Sequence, residues 1–90
     1  PQTMDHERED ASWTEAIAGL EAEIADLEQD RAQSEHRIRE LRASEDLKAG
    51  IVYAREIFQL QQDKLRLGVE IDLRQKKINR IKYQRSHGQL

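Results

Sequence analysis

The sequence predicts an all-α fold built on one long, mostly continuous helix that forms a coiled coil, as a dimer or a small bundle. Charged residues make up 37% of the 90-residue chain and aromatic residues 4%, and the single proline is Pro1. Such a composition, with only four glycines, is typical of long helices and coiled coils. The apolar residues recur at helical spacing, which argues against the disorder that so polar a chain could otherwise adopt.

Five segments follow one another along the chain. Residues 1–11 form an acidic lead-in that could itself be helical, and residues 12–43 form an acidic heptad coiled coil. Residues 44–73 form a wide helical segment with two apolar lines, residues 74–85 a basic helical end, and residues 86–90 a short tail. Residues 12–15 have the pattern of a capping box, which marks a helix start. The acidic residues before them would instead suit a helix that begins near Thr3, and His87-Gly88 predicts a helix stop.

A heptad seam runs through the first half of the chain. Its apolar residues alternate at spacings of four and three, with isoleucine at position a and leucine at position d, a pattern that favours two-stranded coiled coils. Arg31 at a and Ser34 at d interrupt the seam, and such polar residues usually fix register or partner at a cost in stability. The predicted seam residues of this half are Trp13, Ile17, Leu20, Ile24, Leu27, Arg31, Ile38 and Leu41.

The heptad register shifts after Leu41, and the apolar residues then crowd into two parallel lines. At 100° per residue, the two lines lie on the order of 100° or more apart; one holds Tyr53, Ile57, Leu60, Leu67 and Ile71, and the other holds Leu47, Ile51, Ala54, Phe58, Leu65 and Val69. Because each line can bury itself against a helix, this segment is expected to contact two neighbours. The predicted seam residues of this half are Leu47, Ile51, Ile57, Phe58, Leu60, Leu65, Leu67, Ile71, Ile78 and Ile81.

Three arrangements would supply two neighbours. Straight rods could pair along their length and overlap as a bundle, the chain could fold into a helical hairpin with its turn near Ser44–Gly50 and then dimerise, or a second protein could occupy the extra line. The rod is favoured because residues 42–50 contain no proline and one glycine, whereas connections between helices usually need a few loop residues. In the hairpin, Gly50 would serve as the C-cap of the first helix.

The two halves of the chain carry opposite charge. Residues 1–45 have a formal charge of −8 and residues 46–90 one of +5. A parallel homodimer would bring like charges together beside the seam, as with Glu23 and Glu28, at about 0.2–0.5 kcal/mol per contact. Seam burial, worth roughly 1.5–3 kcal/mol per large side chain, outweighs that cost. The charges therefore select an orientation, and they favour an antiparallel homodimer or a heteromeric coiled coil.

The sequence lacks the constellations typical of an enzyme, a cofactor site or a metal centre. There is no cysteine, and neither a glycine-rich phosphate loop nor a nucleophile elbow occurs. His36 and Glu40 share one helix face, but a metal needs three or four ligands. No apolar run approaches the roughly 20 residues that span a bilayer. We expect no catalysis, no cofactor, no metal, no small-molecule substrate and no membrane contact.

Basic residues gather near the carboxyl end. Arg74 and Arg85 lie within the apolar line beside Ile78 and Ile81, a place where arginines that merely solvate a seam are not expected. These cations could dock a polyanionic surface, such as an acidic protein tail, a microtubule or nucleic acid, or they could answer the acidic half of a neighbouring chain and the helix dipole. The candidate polyanion-binding residues are Arg74, Lys76, Lys77, Arg80, Lys82 and Arg85.

The expected role is structural. A non-enzymatic oligomerisation or scaffolding segment, cut from a larger intracellular protein, agrees best with the two seams. The expected location is the cytoplasm, with the nucleus as the alternative. The alternative function is that of a microtubule-binding or other polyanion-binding helical module that uses the basic end. A third reading is a helical recognition segment whose second apolar line receives a partner.

Overall fold

Two long helices form an antiparallel hairpin. The computed structural model describes residues 11–87 in full and the helical backbone of residues 2–10. Helix α1 spans Gln2–Ser44 and helix α2 spans Ala54–His87, and the hairpin measures 75 × 19 × 13 Å. The described residues form no β-strand, which confirms the all-α prediction. The chain adopts the hairpin, the alternative left open by the sequence, and not the continuous rod that it favoured.

Helix α1 begins at one of the two starts that the sequence predicts. Helix α1 begins at Gln2, close to the start expected near Thr3, so Ser12 lies inside the helix and the capping-box interpretation is wrong. Helix α2 is described as far as His87, and the predicted stop at Gly88 lies outside the described residues.

The turn between the helices is closed by its own hydrogen bonds. Asp46 and Ile51 exchange two backbone bonds, with N···O distances of 2.9 and 2.8 Å. The Asp46 Oδ1 atom accepts hydrogen bonds from the backbone amides of Lys48, at 3.1 Å, and Ala49, at 3.2 Å. An aspartate that binds the amides two and three residues on stabilises a tight turn without proline. This explains how a segment with so few turn-forming residues reverses the chain.

Gly50 has a different role from the predicted C-cap. It lies in the turn, six residues after the end of α1, with a φ of 74°, in the left-handed region that glycine adopts at little cost. Its amide donates to the Leu47 carbonyl at 3.2 Å. The entry to α2 is held by Glu45, whose Oε2 atom accepts the Tyr53 amide at 3.0 Å.

The core is the interface between the two helices, which we call the interhelix seam. Its best-packed part lies beside the turn, where Ile38, Leu41 and Ile57 form a buried cluster with Tyr53 and Leu60 packed against it. Further along, Leu67 and Ile78 are also buried, with 5% and 1% of their surface exposed. The heptad seam of α1 thus finds its partner in α2 of the same chain.

Cross-helix contacts fix the register of the hairpin. The residue numbers of facing positions add up to between 97 and 99 in three such contacts: Trp13 with Arg85, Glu23 with Arg74, and Glu35 with Lys64. The part of α1 that contains Glu15, Glu21 and Glu23 therefore lies along the basic end of α2. The antiparallel arrangement that the charges favour is realised here within one chain.

Candidate interaction surface

The structure brings most of the predicted seam residues together inside the hairpin. All eight seam residues of the first half are buried or half-buried against α2. Six of the second half face them and are likewise buried or half-buried: Ile57, Leu60, Leu67, Ile71, Ile78 and Ile81. Since these side chains are covered within one chain, association between folded hairpins must use other residues.

The predicted polar interruption lies at the middle of the interhelix seam. Arg31 is half-buried, and its Nη1 atom lies 3.7 Å from the point where a Cβ on Gly68 would stand. The Nζ atom of Lys64 lies 3.6 Å from Oε1 of Glu35. The end of the Arg31 side chain thus lies beside Gly68 of α2. Two open clefts of about 370 and 810 Å³ flank this section.

A row of large apolar side chains lies on the outer face of α2, and we call it the outer stripe of α2. The exposed fractions are 61% for Phe58, 66% for Leu65, 59% for Val69, 48% for Leu73 and 62% for Tyr83. Phe58 precedes the buried Leu67 by nine residues, about two and a half turns, so the stripe faces away from α1. Single exposed apolar residues are ordinary on a protein surface, whereas a row of them is not.

The larger cleft joins this stripe to the seam. Leu65 and Val69 form part of its wall together with Gly68, Arg31 and Glu35. The outer stripe is thereby continuous with a hollow between the helices.

Four predicted seam residues lie outside the interhelix seam. Leu47 and Ile51 belong to the turn, where 82% and 43% of their surface is exposed, and so neither continues a helical seam. Phe58 and Leu65, also assigned to the seam, lie on the outer stripe of α2. The second apolar line predicted from the sequence is therefore present over α2 alone.

Half of the candidate polyanion-binding residues are engaged within the chain. The Nε atom of Arg74 lies 3.6 Å from Oε1 of Glu23, and its Nη1 donates to the Glu70 carbonyl at 3.0 Å. That Nε is buried without a hydrogen-bond partner among the described residues, since 3.6 Å is too long for a hydrogen bond, so Glu23 acts through its charge alone.

The other cations divide into two groups. Lys76 pairs with Asp72 at 3.2 Å, and the Arg85 guanidinium lies 5.9 Å from the centre of the Trp13 ring. Lys77, Arg80 and Lys82 are exposed, and among residues 11–87 no acidic group lies within ion-pairing distance of them. These three remain the accessible part of the basic end.

His36 and Glu40 are the histidine–carboxylate pair for which the sequence predicts no metal site. Their Nε2 and Oε2 atoms lie 3.7 Å apart, and both side chains are more than half exposed. Within the described part of the chain, no three His, Cys, Asp or Glu side chains come close enough together to hold a metal ion. Neither helix, over those same residues, has an apolar stretch long enough to cross a bilayer.

A second outer face was missed by sequence reasoning. Five alanines occupy the face of α1 that points away from α2, and all are exposed: Ala11, Ala18, Ala22, Ala25 and Ala32. We call this row the alanine stripe of α1. Its spacings of seven, four, three and seven are heptad spacings, and they could have been found by searching for small residues as well as large ones. Acidic side chains border it on both sides: Glu15, Glu21, Asp26 and Glu28.

Comparison of the chain with protein-family models, with curated proteins and with solved structures found no match.

Proposed function

We propose that this chain is a non-enzymatic association module, which joins protein chains through the outer stripe of α2. The observation that carries the proposal is the placement of five large apolar side chains on the one face of α2 that the hairpin leaves uncovered. A helix that already buries one apolar line against α1 gains nothing from a second line in water. A second line is useful when another helix covers it.

The strength of such an association follows from the exposure of the stripe. Full burial of a large apolar side chain contributes roughly 1.5–3 kcal/mol, so Leu65, with 66% of its surface exposed, has about 1–2 kcal/mol still to gain. Five such residues sum to several kcal/mol, from which the loss of translational and rotational freedom, about 4–15 kcal/mol, is subtracted. The association is therefore weak and strongly dependent on concentration, as suits a module that acts in several copies.

Sedimentation equilibrium over a concentration series tests this proposal. The wild-type chain is expected to increase in mean mass as its concentration rises, and Leu65→Glu is expected to stay at the monomer mass, because it places a charge in the middle of the stripe. Leu47→Glu is the matched control: it makes the same chemical change at an 82% exposed leucine of the turn and is expected to behave as wild type. A wild-type chain that remains monomeric, or a Leu65→Glu variant that assembles normally, contradicts the proposal.

Polyanion binding by residues 74–85 is the weaker proposal. It is supported by the three exposed cations Lys77, Arg80 and Lys82, while Arg74, Lys76 and Arg85 already contact groups of the same chain. Three cations predict weak binding that salt abolishes. Cosedimentation with microtubules, or a nucleic-acid shift assay, is expected to lose any binding when Lys77, Arg80 and Lys82 are replaced by glutamine. Binding that persists in that variant would contradict this alternative.

A further inference from the structure

We infer that the occupant of the outer stripe of α2 is a second copy of this chain, which docks by the alanine stripe of its α1. This inference rests on the proposed function, because it names the partner of the same surface. Three observations carry it: the sizes of the side chains on the two faces, the charges of the two helices, and the positions of the faces in the hairpin.

The two faces are complementary in size. The outer stripe of α2 consists of Phe, Leu, Val and Tyr side chains that protrude from the helix, and the stripe of α1 consists of alanines. Small residues let two helix axes approach closely, and large side chains of one helix then fit between the turns of the other. Two copies of the α2 stripe facing each other would place bulky rings and branched chains against one another. A bulky face on an alanine face avoids that crowding.

The two helices are also complementary in charge. Helix α1 contains twelve acidic and five basic residues, a net −7, and helix α2 contains four acidic and nine basic residues, a net +5. The exposed cations Arg55, Arg66, Lys76 and Arg80 lie on or beside the outer stripe of α2. The alanine stripe is bordered by carboxylates. Opposite potentials favour α2 against α1 of the second copy, and like potentials disfavour α2 against α2 and α1 against α1.

The charges also set the orientation. The second copy is placed beside the first in the same orientation, by a sideways shift without rotation. Its α1 then runs antiparallel to α2 of the first copy, as α1 and α2 do within one hairpin. In that register Leu73 lies beside Ala25 of the second copy, and Arg80 lies beside its Ala18. The cationic end of α2 then follows the part of α1 that contains Glu15 and Glu21.

The positions of the faces determine the kind of assembly. Ala22 precedes the half-buried Arg31 by nine residues, about two and a half turns, so the alanine stripe faces away from α2. The two stripes therefore lie on opposite sides of the hairpin. A contact between unlike faces leaves one of each free after every addition, and so it builds an open row of alternating α1 and α2 helices, not a closed dimer.

Two blocked variants test the inference by mixing. Leu65→Glu/Val69→Glu adds acid to the outer stripe of α2, and Ala22→Arg/Ala25→Arg adds bulky cations to the alanine stripe. Each variant alone is expected to sediment as a monomer, because one of the two faces is lost. An equimolar mixture is expected to form a complex of twice the monomer mass that grows no further, since the intact α2 face of one chain meets the intact α1 face of the other. The wild-type chain continues to grow beyond that mass.

Matched controls separate this inference from the proposed function. Ala22→Ser/Ala25→Ser keeps the side chains small and is expected to assemble as wild type, and circular dichroism is expected to show the same helix content in all variants, since the changed positions are exposed. If Ala22→Arg/Ala25→Arg assembles as wild type while Leu65→Glu does not, the inference is overturned and the proposed function stands. If Leu65→Glu also assembles as wild type, the proposed function is overturned as well.

Disulfide trapping tests the orientation without blocking either face. The chain has no cysteine, so Ala25→Cys and Leu73→Cys chains can be mixed under oxidising conditions. They are expected to give mostly the mixed disulfide dimer. Ala25→Cys mixed with Phe58→Cys is the control, because Phe58 lies fifteen residues, roughly 22 Å, from Leu73. Equal yields from the two mixtures would overturn the antiparallel arrangement.

Discussion

Replacing Gly50 by alanine distinguishes the hairpin from a continuous helix by the sign of its effect on stability. In the hairpin, Gly50 has a φ of 74°, where an L-residue costs about 1–2 kcal/mol. In a continuous rod the same residue would lie inside a helix, where alanine is better than glycine by about 1 kcal/mol. The hairpin thus predicts a loss of stability and the rod predicts a gain.

The magnitude comes from the backbone alone. A Cβ atom built on Gly50 meets nothing within 4 Å, so no side-chain clash adds to the cost. Alanine also restricts the unfolded chain, which returns about 0.4–1 kcal/mol. The net loss is about 1 kcal/mol, and for a domain of this size it corresponds to a fall in Tm of about 4–8 °C.

Two other glycines supply internal controls. A Cβ on Gly19 meets nothing within 4 Å, and one on Gly68 meets only the end of the Arg31 side chain at 3.7 Å, an ordinary contact. Both glycines lie inside helices, so Gly19→Ala and Gly68→Ala are each expected to raise the free energy of unfolding by about 0.5–1 kcal/mol.

The assay is urea unfolding followed by circular dichroism. It is performed in the Leu65→Glu background, which removes the concentration dependence expected of the assembling chain. A lower urea midpoint for Gly50→Ala, together with higher midpoints for the two controls, is the expected result. A higher midpoint for all three variants would refute the hairpin, because it would place Gly50 in a helix as well.

Three further predictions concern the seam and the turn, and each is measured as a urea midpoint. Ile78→Ala is expected to cost about 2–5 kcal/mol because Ile78 is 1% exposed, whereas Leu73→Ala on the same helix is expected to cost less than about 1 kcal/mol; similar costs would contradict the assignment of the two faces. Asp46→Ala removes the acceptor of two turn amides and is expected to cost about 1 kcal/mol, while Asp46→Asn retains an oxygen acceptor and most of the stability. Glu23→Gln is expected to cost up to about 1 kcal/mol because it removes one of the two carboxylates, those of Glu23 and Glu70, that lie beside the Arg74 guanidinium. Arg74→Leu is expected to be neutral or stabilising.

The helical periodicity of the sequence predicted an all-helical chain and the two apolar lines of α2, but not the break between α1 and α2. Apolar residues at spacings of three and four identify a helix face wherever the partner is, so Ile38, Leu41, Ile57 and Ile78 could be assigned to a seam without knowledge of the fold. The same rule separated Phe58 and its neighbours as a second line. Periodicity does not predict which helix packs against each apolar line, because that depends on the fold.

The turn could not be predicted from loop composition. The scarcity of proline and glycine in this segment disfavours a turn, but the side chain of Asp46 accepts the amides that a turn would otherwise leave unpaired. The Glu45 side chain likewise accepts the amide of Tyr53, the residue directly before α2. Acidic residues are too common in this chain for either signal to be recognised from sequence.

The register of the hairpin explains why rod and hairpin resemble each other so closely in sequence. Facing residue numbers add up to about 98, so the midpoint of the pattern is near residue 49, inside the turn. Two straightened chains paired antiparallel about that point would place every seam residue opposite the same residue type that it faces in the hairpin, in the manner of a domain swap. Seam burial and cross-helix charge pairs would then contribute equally to both forms.

The difference in free energy between the two forms is confined to residues 45–53 and to the entropy of bringing two chains together. A short connection keeps α2 at an effective concentration in the millimolar range beside α1, so the hairpin is favoured below that concentration as long as the turn is not strained. The hydrogen bonds of Asp46 and the left-handed Gly50 keep that strain low, and these few residues determine the fold that the periodicity leaves open.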